Sequence, residues 1–173
     1  MTFSARLRHA VHAAAIVSAF ASTAAIAGPY VPFKATLATQ EDIPVLPSPA
    51  CVAAFGGVTP YAFAGTTTGT GQATHLGAVT GMATDCFAYT STGAAFNNGK
   101  LVLYTHSGDE LRADYRGTLI PTAIQSILSI SGFFTITGGT GRFAGATGSG
   151  TLTGTENGVT KQGHFIFDGT ISY

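Results

Sequence analysis

Few side chains in this 173-residue sequence are placed for chemistry, and they stand far apart. His75, in "ATHLG", sits among small residues and changes charge near neutral pH, which suits either a proton carrier or a histidine bonded to a neighbouring loop. The run "SGDELRADYRGT", Ser107 to Thr118, puts Glu110, Arg112, Asp114 and Arg116 on one face of a strand. Leu111, Ala113 and Tyr115 take the other face, because side chains alternate along an extended chain. His75, Glu110 and Arg112 are the candidate catalytic groups; Tyr115, Arg142 and Phe143 are the candidate ligand contacts. No Ser-His-Asp spacing, paired-carboxylate motif or His-x-x-x-His pattern occurs. His75, His106 and His164 are well separated, so neither a metal site nor a cofactor is expected.

The glycine-dense stretch "FFTITGGTGRFAGATGSGTLTG", Phe133 to Gly154, invites a phosphate-loop reading. A Walker loop needs Gly-Lys-Ser/Thr opening a helix, and here Gly141-Arg142-Phe143 runs into strand-like sequence. Residues 139–144 match G-x-G-x-x-A formally, but Gly145, Gly148 and Gly150 then oppose the helix that would hold a pyrophosphate. The structural expectation is a sharp turn at Gly138–Gly141, an aromatic anchor at Phe143, and glycines that let a sheet bend.

The elements around these residues follow from composition and punctuation. Residues 1–27 read as a signal peptide: Arg6, Arg8 and His9 precede an alanine-rich apolar stretch that ends in Ala25-Ile26-Ala27, so cleavage is expected before Gly28. No later segment reaches the roughly 20 apolar residues of a spanning helix. The remainder carries six Lys and Arg against eight Asp and Glu, a net charge of about −2 without a basic cluster. That balance argues against nucleic acid as a partner, since phosphates demand a positive field. Charged residues make up 9% of the chain, while Thr, Ser and Gly supply polarity and 12 Phe with 6 Tyr supply a core. This composition suits an exported β-protein, periplasmic or extracellular. In such a compartment Cys51 and Cys86 read as one disulfide, with two buried thiols as the alternative.

Residues 28–50 hold five of the seven prolines; only "FKATLAT" there looks like a strand, and the segment reads as a proline-rich arm or linker. Residues 51–173 form the expected domain, a succession of short strands broken by turn signals. Asn97-Asn98-Gly99 is expected to close a hairpin, as are Ser107-Gly108-Asp109 and Asn157-Gly158, and Pro121–Ser126 to form a short helical turn. Seven to nine strands with short connections favour an all-β sandwich or closed antiparallel barrel, and closure also removes the flat, apolar last strand from an exposed edge.

"ITGGTGRFAGATGSGTLTG" resembles the Gly-Gly-Thr-Gly-x-Phe segment of the dirigent and allene oxide cyclase superfamily, and more closely the bacterial exported proteins of the allene-oxide-cyclase-like barrel group. "GQATHLGAVTG", "SGDELRADYRGT" and "FDGTISY" fit the same group in a consistent order over about 100 residues. The resemblance implies a calycin-like barrel of eight strands, oligomeric in plant members. Where dirigent proteins carry Ala-Arg-Gly this chain has Ala146-Thr147-Gly148, so the resemblance implies fold rather than chemistry. The expected function is non-catalytic binding of a small apolar or aromatic molecule, or of a partner, in the barrel lumen or at its mouth. Its alternatives are a cyclase or isomerase that steers a reactive substrate, and a structural or adhesive envelope protein.

Overall fold

The computed structural model describes residues 28–57, 59 and 61–173; the expected signal peptide lies outside the described residues. Eight strands make up the domain: β1 (Val31–Asp42), β2 (Ala62–Ala73), β3 (Gly77–Thr90), β4 (Gly93–Thr105), β5 (Glu110–Pro121), β6 (Ile127–Gly139), β7 (Thr147–Asn157) and β8 (Gln162–Ser172). Each pairs antiparallel with the next, and β8 pairs with β1 from Val31↔Ile171 to Gln40↔Gln162, closing the barrel. The expected all-β closed barrel is therefore the architecture, and no strand edge is left open.

The barrel begins at Val31 rather than Cys51. The segment expected as an arm supplies β1, clasped between β2 and β8. Its prolines allow this, because Pro29 and Pro32 fall at the start of the strand and Pro44, Pro47 and Pro49 beyond its end. After β1 the chain runs into a short helix, α1 (Pro49–Ala54), with Ser48 as N-cap and Pro49 in its first turn. Cys51 on α1 bonds Cys86 on β3, the sulfurs 2.05 Å apart. Ala62 and Ala88 complete a small apolar cluster under the helix, with Val52, Ala54 and Phe55 packed against it.

Asn97-Asn98-Gly99 does not close a hairpin. The β3–β4 turn falls at Ser91-Thr92, and the register of β4 against β5 slips between Phe96↔Gly117 and Gly99↔Tyr115. The slip is a bulge, and Asn98, with φ +52°, takes the left-handed conformation that asparagine tolerates better than most residues. The turns at Ser107-Gly108-Asp109 and after Asn157 are found as expected, whereas Thr122–Ser126 is a turn without helix.

The lumen is a packed core. Phe33, Leu37, Leu103, Phe134, Phe167 and Ile171 interlock across it, with the Phe33–Phe134 and Phe134–Phe167 ring centroids 5.8 and 5.5 Å apart. One end is plugged by the glycine-dense stretch, which turns through a single 3-10 turn at Gly141–Phe143 and drives Phe143 fully into the core. The Phe143 ring lies 5.1 Å from that of Tyr173. The anchor expected at Phe143 is present; being buried, Phe143 is not a ligand contact.

The disulfide joins positions 35 residues apart, a loop closure worth about 3–4 kcal/mol on the chain-entropy model. Replacing both cysteines by serine should lower unfolding stability in urea by about that amount while far-UV circular dichroism still reports a β-barrel. Stability within 1 kcal/mol of the parent would show that α1 is held by packing alone.

Candidate functional site

The candidate catalytic residues lie outside the barrel. Arg112 donates to Glu110 through Nε (3.0 Å) and Nη2 on the outer face of β5, and one step along Lys100 donates to Asp114 at 2.7 Å. The charged stripe of β5 therefore faces solvent, with Glu110 and Arg112 paired to each other and Asp114 to Lys100 of β4. His75 occupies the exposed β2–β3 turn with φ +67°, its Nε2 2.9 Å from the Pro32 carbonyl and its ring 5.6 Å from that of Tyr173. It is the loop-bonded histidine, tying the turn to β1. Arg142 lies 4.8 Å over the Phe143 ring with Nε 3.6 Å from Asp109 Oδ2, a surface bridge that braces the plugged end. Of the candidate residues, Tyr115 and Phe143 reach the lumen, Phe143 as the plug of one end.

Around Tyr115 the lumen holds a polar layer. Glu41 on β1, Asp85 on β3 and Glu156 on β7 turn inward with it towards the end opposite Phe143, about a void of about 10 Å³. Three of the four sit directly across from a glycine in the sheet register: Asp85↔Gly65, Tyr115↔Gly99 and Glu156↔Gly163. The pairing is steric. A Cβ on Gly65 would stand 2.8 Å from Asp85 Oδ1 and 3.3 Å from Glu41 Oε1, and a Cβ on Gly99 would stand 2.6 Å from the Tyr115 ring. Thr67, Phe96, Ile130 and Phe165 line the void from the intervening strands.

The Tyr115 hydroxyl donates to Asp85 Oδ2 at 2.8 Å. Glu41 Oε2, Asp85 Oδ1 and Glu156 Oε1 are buried without a hydrogen-bond partner, and the nearest cation, Lys161 on the β7–β8 turn, has Nζ 4.0 Å from Glu156 Oε1. Burial, reinforced by Glu156 and Asp85, pushes the Glu41 carboxyl from about 4.5 up to about 8, against the pull of Lys161. Burial likewise raises Asp85, with the Tyr115 hydrogen bond working the other way. It raises Glu156 despite Lys161 and the hydrogen bond with Glu41, and it pushes the Tyr115 phenol up. Burial therefore favours the protonated form of Glu41 beside Glu156. Among the described residues no group of histidine, cysteine and carboxylate side chains is arranged to hold a metal ion.

A second feature opens on the outer wall at the β4 bulge, a cleft of about 270 Å³. Asn97, Asn98, Lys100, Asp114, Arg116 and Phe133 border it, while Gly99 and Tyr115, which face the lumen, reach its floor. The bulge is braced from behind: the Asn97 side-chain amide donates to the Ala54 carbonyl of α1 (3.4 Å), and its oxygen accepts from the Asn98 backbone N–H (2.9 Å). Broader hollows of about 780 and 670 Å³ run over β1–β4, lined by threonine, glutamine and tyrosine and free of Lys, Arg, Asp and Glu.

Fold and site together define a closed eight-stranded antiparallel barrel with a filled lumen, a carboxylate layer inside one end and a polar cleft through its outer wall. Comparison with protein-family models, with curated proteins and with solved structures finds no match to this chain.

A carboxyl whose pKa rises on folding binds its proton more tightly in the native state. Its contribution to stability is complete below its ordinary value and is lost as pH climbs through the folded value. For Glu41 that window runs from about 4.5 to about 8. Thermal melts should therefore show the barrel most stable in the acid part of this range and progressively weaker towards pH 9. Each 1 kcal/mol should read as roughly 3 °C in a chain of this size. Glu41→Gln, uncharged at every pH, should flatten the profile and raise the melting temperature at pH 8. A wild-type melting temperature that holds or rises across the window would contradict the arrangement.

Proposed function

We propose that the chain is an exported, non-catalytic barrel that binds a small aromatic molecule or a partner on its outer wall. One observation carries this reading: the lumen is filled, while the cleft at the β4 bulge brings an aromatic ring and charged side chains together on the outer wall. The two lumenal voids, about 10 Å³ each, have room for one water apiece, so a ligand there would require the core to be emptied. Export is supported by the leader pattern of residues 1–27 and by the Cys51–Cys86 bond, which suits an oxidising compartment.

A cyclase or isomerase would need a polar group pointing into an apolar cavity. His75, Glu110 and Arg112 lie outside the barrel, and the lumenal void beside Asp85 and Tyr115 is about 10 Å³, too small for a substrate. An adhesive role resting on a free N-terminal arm loses its tether, because that segment is β1.

Titration of the mature chain with benzyl alcohol, followed by amide chemical shifts, tests the reading. Shifts should gather at Asn97–Lys100, Arg116 and Phe133. Shifts centred on Leu37, Phe134 and Phe167 would place binding in the lumen and overturn it. Periplasmic or culture-medium protein beginning at Gly28 on N-terminal sequencing is the expected product of export.

A further inference from the structure

We infer that the outer-wall cleft takes a ring bearing a carboxylate, gripped by Arg116 and stacked on Phe133; this rests on the outer-wall reading and names its ligand class. Arg116 and Phe133 are directly opposed in the β5–β6 register, both on the outward face. Side chains so placed stand within about 5.5 Å at Cβ and can act on one ligand. Phe133 is 64% exposed, a cost the fold itself does not require, since threonine and serine occupy the other outward positions of β6 (Ser129, Ser131, Thr135 and Thr137).

Arg116 is the uncompensated charge of the cleft. Among the described residues no carboxylate lies within ion-pair distance of it, and Arg142 is the one cation placed over an aromatic ring, so the Arg116 guanidinium is neither neutralised nor stacked on Phe133. The acid that borders the same cleft, Asp114, is already engaged by Lys100 at 2.7 Å. What remains is a planar fork of five N–H donors, whose geometry matches a carboxylate bidentately, beside a bare aromatic face.

The volume and the wall agree with a single substituted ring. A cavity of about 150 Å³ holds benzene, and the cleft offers about 270 Å³. Phosphate-rich polymers are a poorer fit, since one free guanidinium among residues 28–173, whose six Lys and Arg stand against eight Asp and Glu, does not make the positive field they need. The site is also preorganised. The bulge that shapes it is held by Asn97, Asn97 by the α1 carbonyl of Ala54, and α1 by the Cys51–Cys86 bond. A disulfide-braced wall orders the cleft before any ligand arrives, which lowers the entropy cost of binding.

The probes are benzoate and benzyl alcohol, equal in ring and differing in charge, titrated into the mature disulfide-bonded chain with amide shifts as readout. Benzoate should bind at the cleft about tenfold more tightly than benzyl alcohol, the gain of one charge-assisted contact. Arg116→Gln should erase that preference while leaving benzyl alcohol binding intact, and Phe133→Thr should weaken both probes. Both residues are outward-facing on strands, so unchanged thermal melts are expected and confirm that the fold is kept. Equal affinity for the two probes at the cleft, or a benzoate preference that survives Arg116→Gln, overturns the ligand class while leaving the outer-wall reading standing. Absence of cleft shifts with either probe overturns both.

Discussion

Ring closure by eight strands sets the terms for every inward side chain. The lumen is narrow enough that two large residues cannot stand opposite each other at every level, so size must alternate across the sheet register. The chain solves this with glycine. Gly65, Gly99 and Gly163 each vacate space for a polar partner, while Gly69↔Gly81, Gly117↔Gly132 and Gly150↔Gly169 face each other as pairs in the register. A Cβ at Gly117 would stand 2.3 Å from the Ser131 carbonyl oxygen and 2.5 Å from the Phe96 ring. The high glycine content is therefore a packing device of a small barrel more than a sign of flexible loops.

The same constraint explains why acids lie inside. Three carboxyls and a phenol fill one level of the lumen with a single lysine at its margin, so the level cannot be fully charged at once. The Tyr115 hydroxyl meets one oxygen of Asp85, and one oxygen on each of the three carboxyls is left buried without a partner. The apolar mass below it, ending in the Phe143 plug, excludes water from the rest.

The closed β-architecture was legible in the chain because turn residues recur at short intervals and the strands between them alternate. Phe143 as an anchor could be read the same way, but not which face of residues 110–116 meets solvent, because alternation separates two faces without orienting the sheet. The polar layer could not. Glu41, Asp85 and Glu156 fall in phase with inward residues, as in Ala83-Asp85-Phe87 and Leu152-Gly154-Glu156, but an acid on an apolar phase usually marks a strand end rather than a lumen. What distinguishes Asp85 and Glu156 is the glycine across the register, whereas Glu41 faces Thr67, and register is a long-range fact. The Asn97–Gly99 bulge was hidden for a related reason, since the residues that permit a tight turn also permit an extra residue within a ladder. Likewise the prolines around β1 suggested an arm because their confinement to the strand's ends becomes visible only once β8 lies alongside.

At the plugged end the Ser172 hydroxyl donates to the Gly28 carbonyl, and a Cβ on Gly28 would stand 3.3 Å from the Tyr173 carbonyl oxygen. The first and last described residues thus meet side by side, and the ring of strands has no privileged starting point. A short linker between them, with new ends opened in an exposed turn such as Ser107-Gly108, would leave every ladder hydrogen bond in place. The order of the strands in the gene is one of several that could thread the same cylinder.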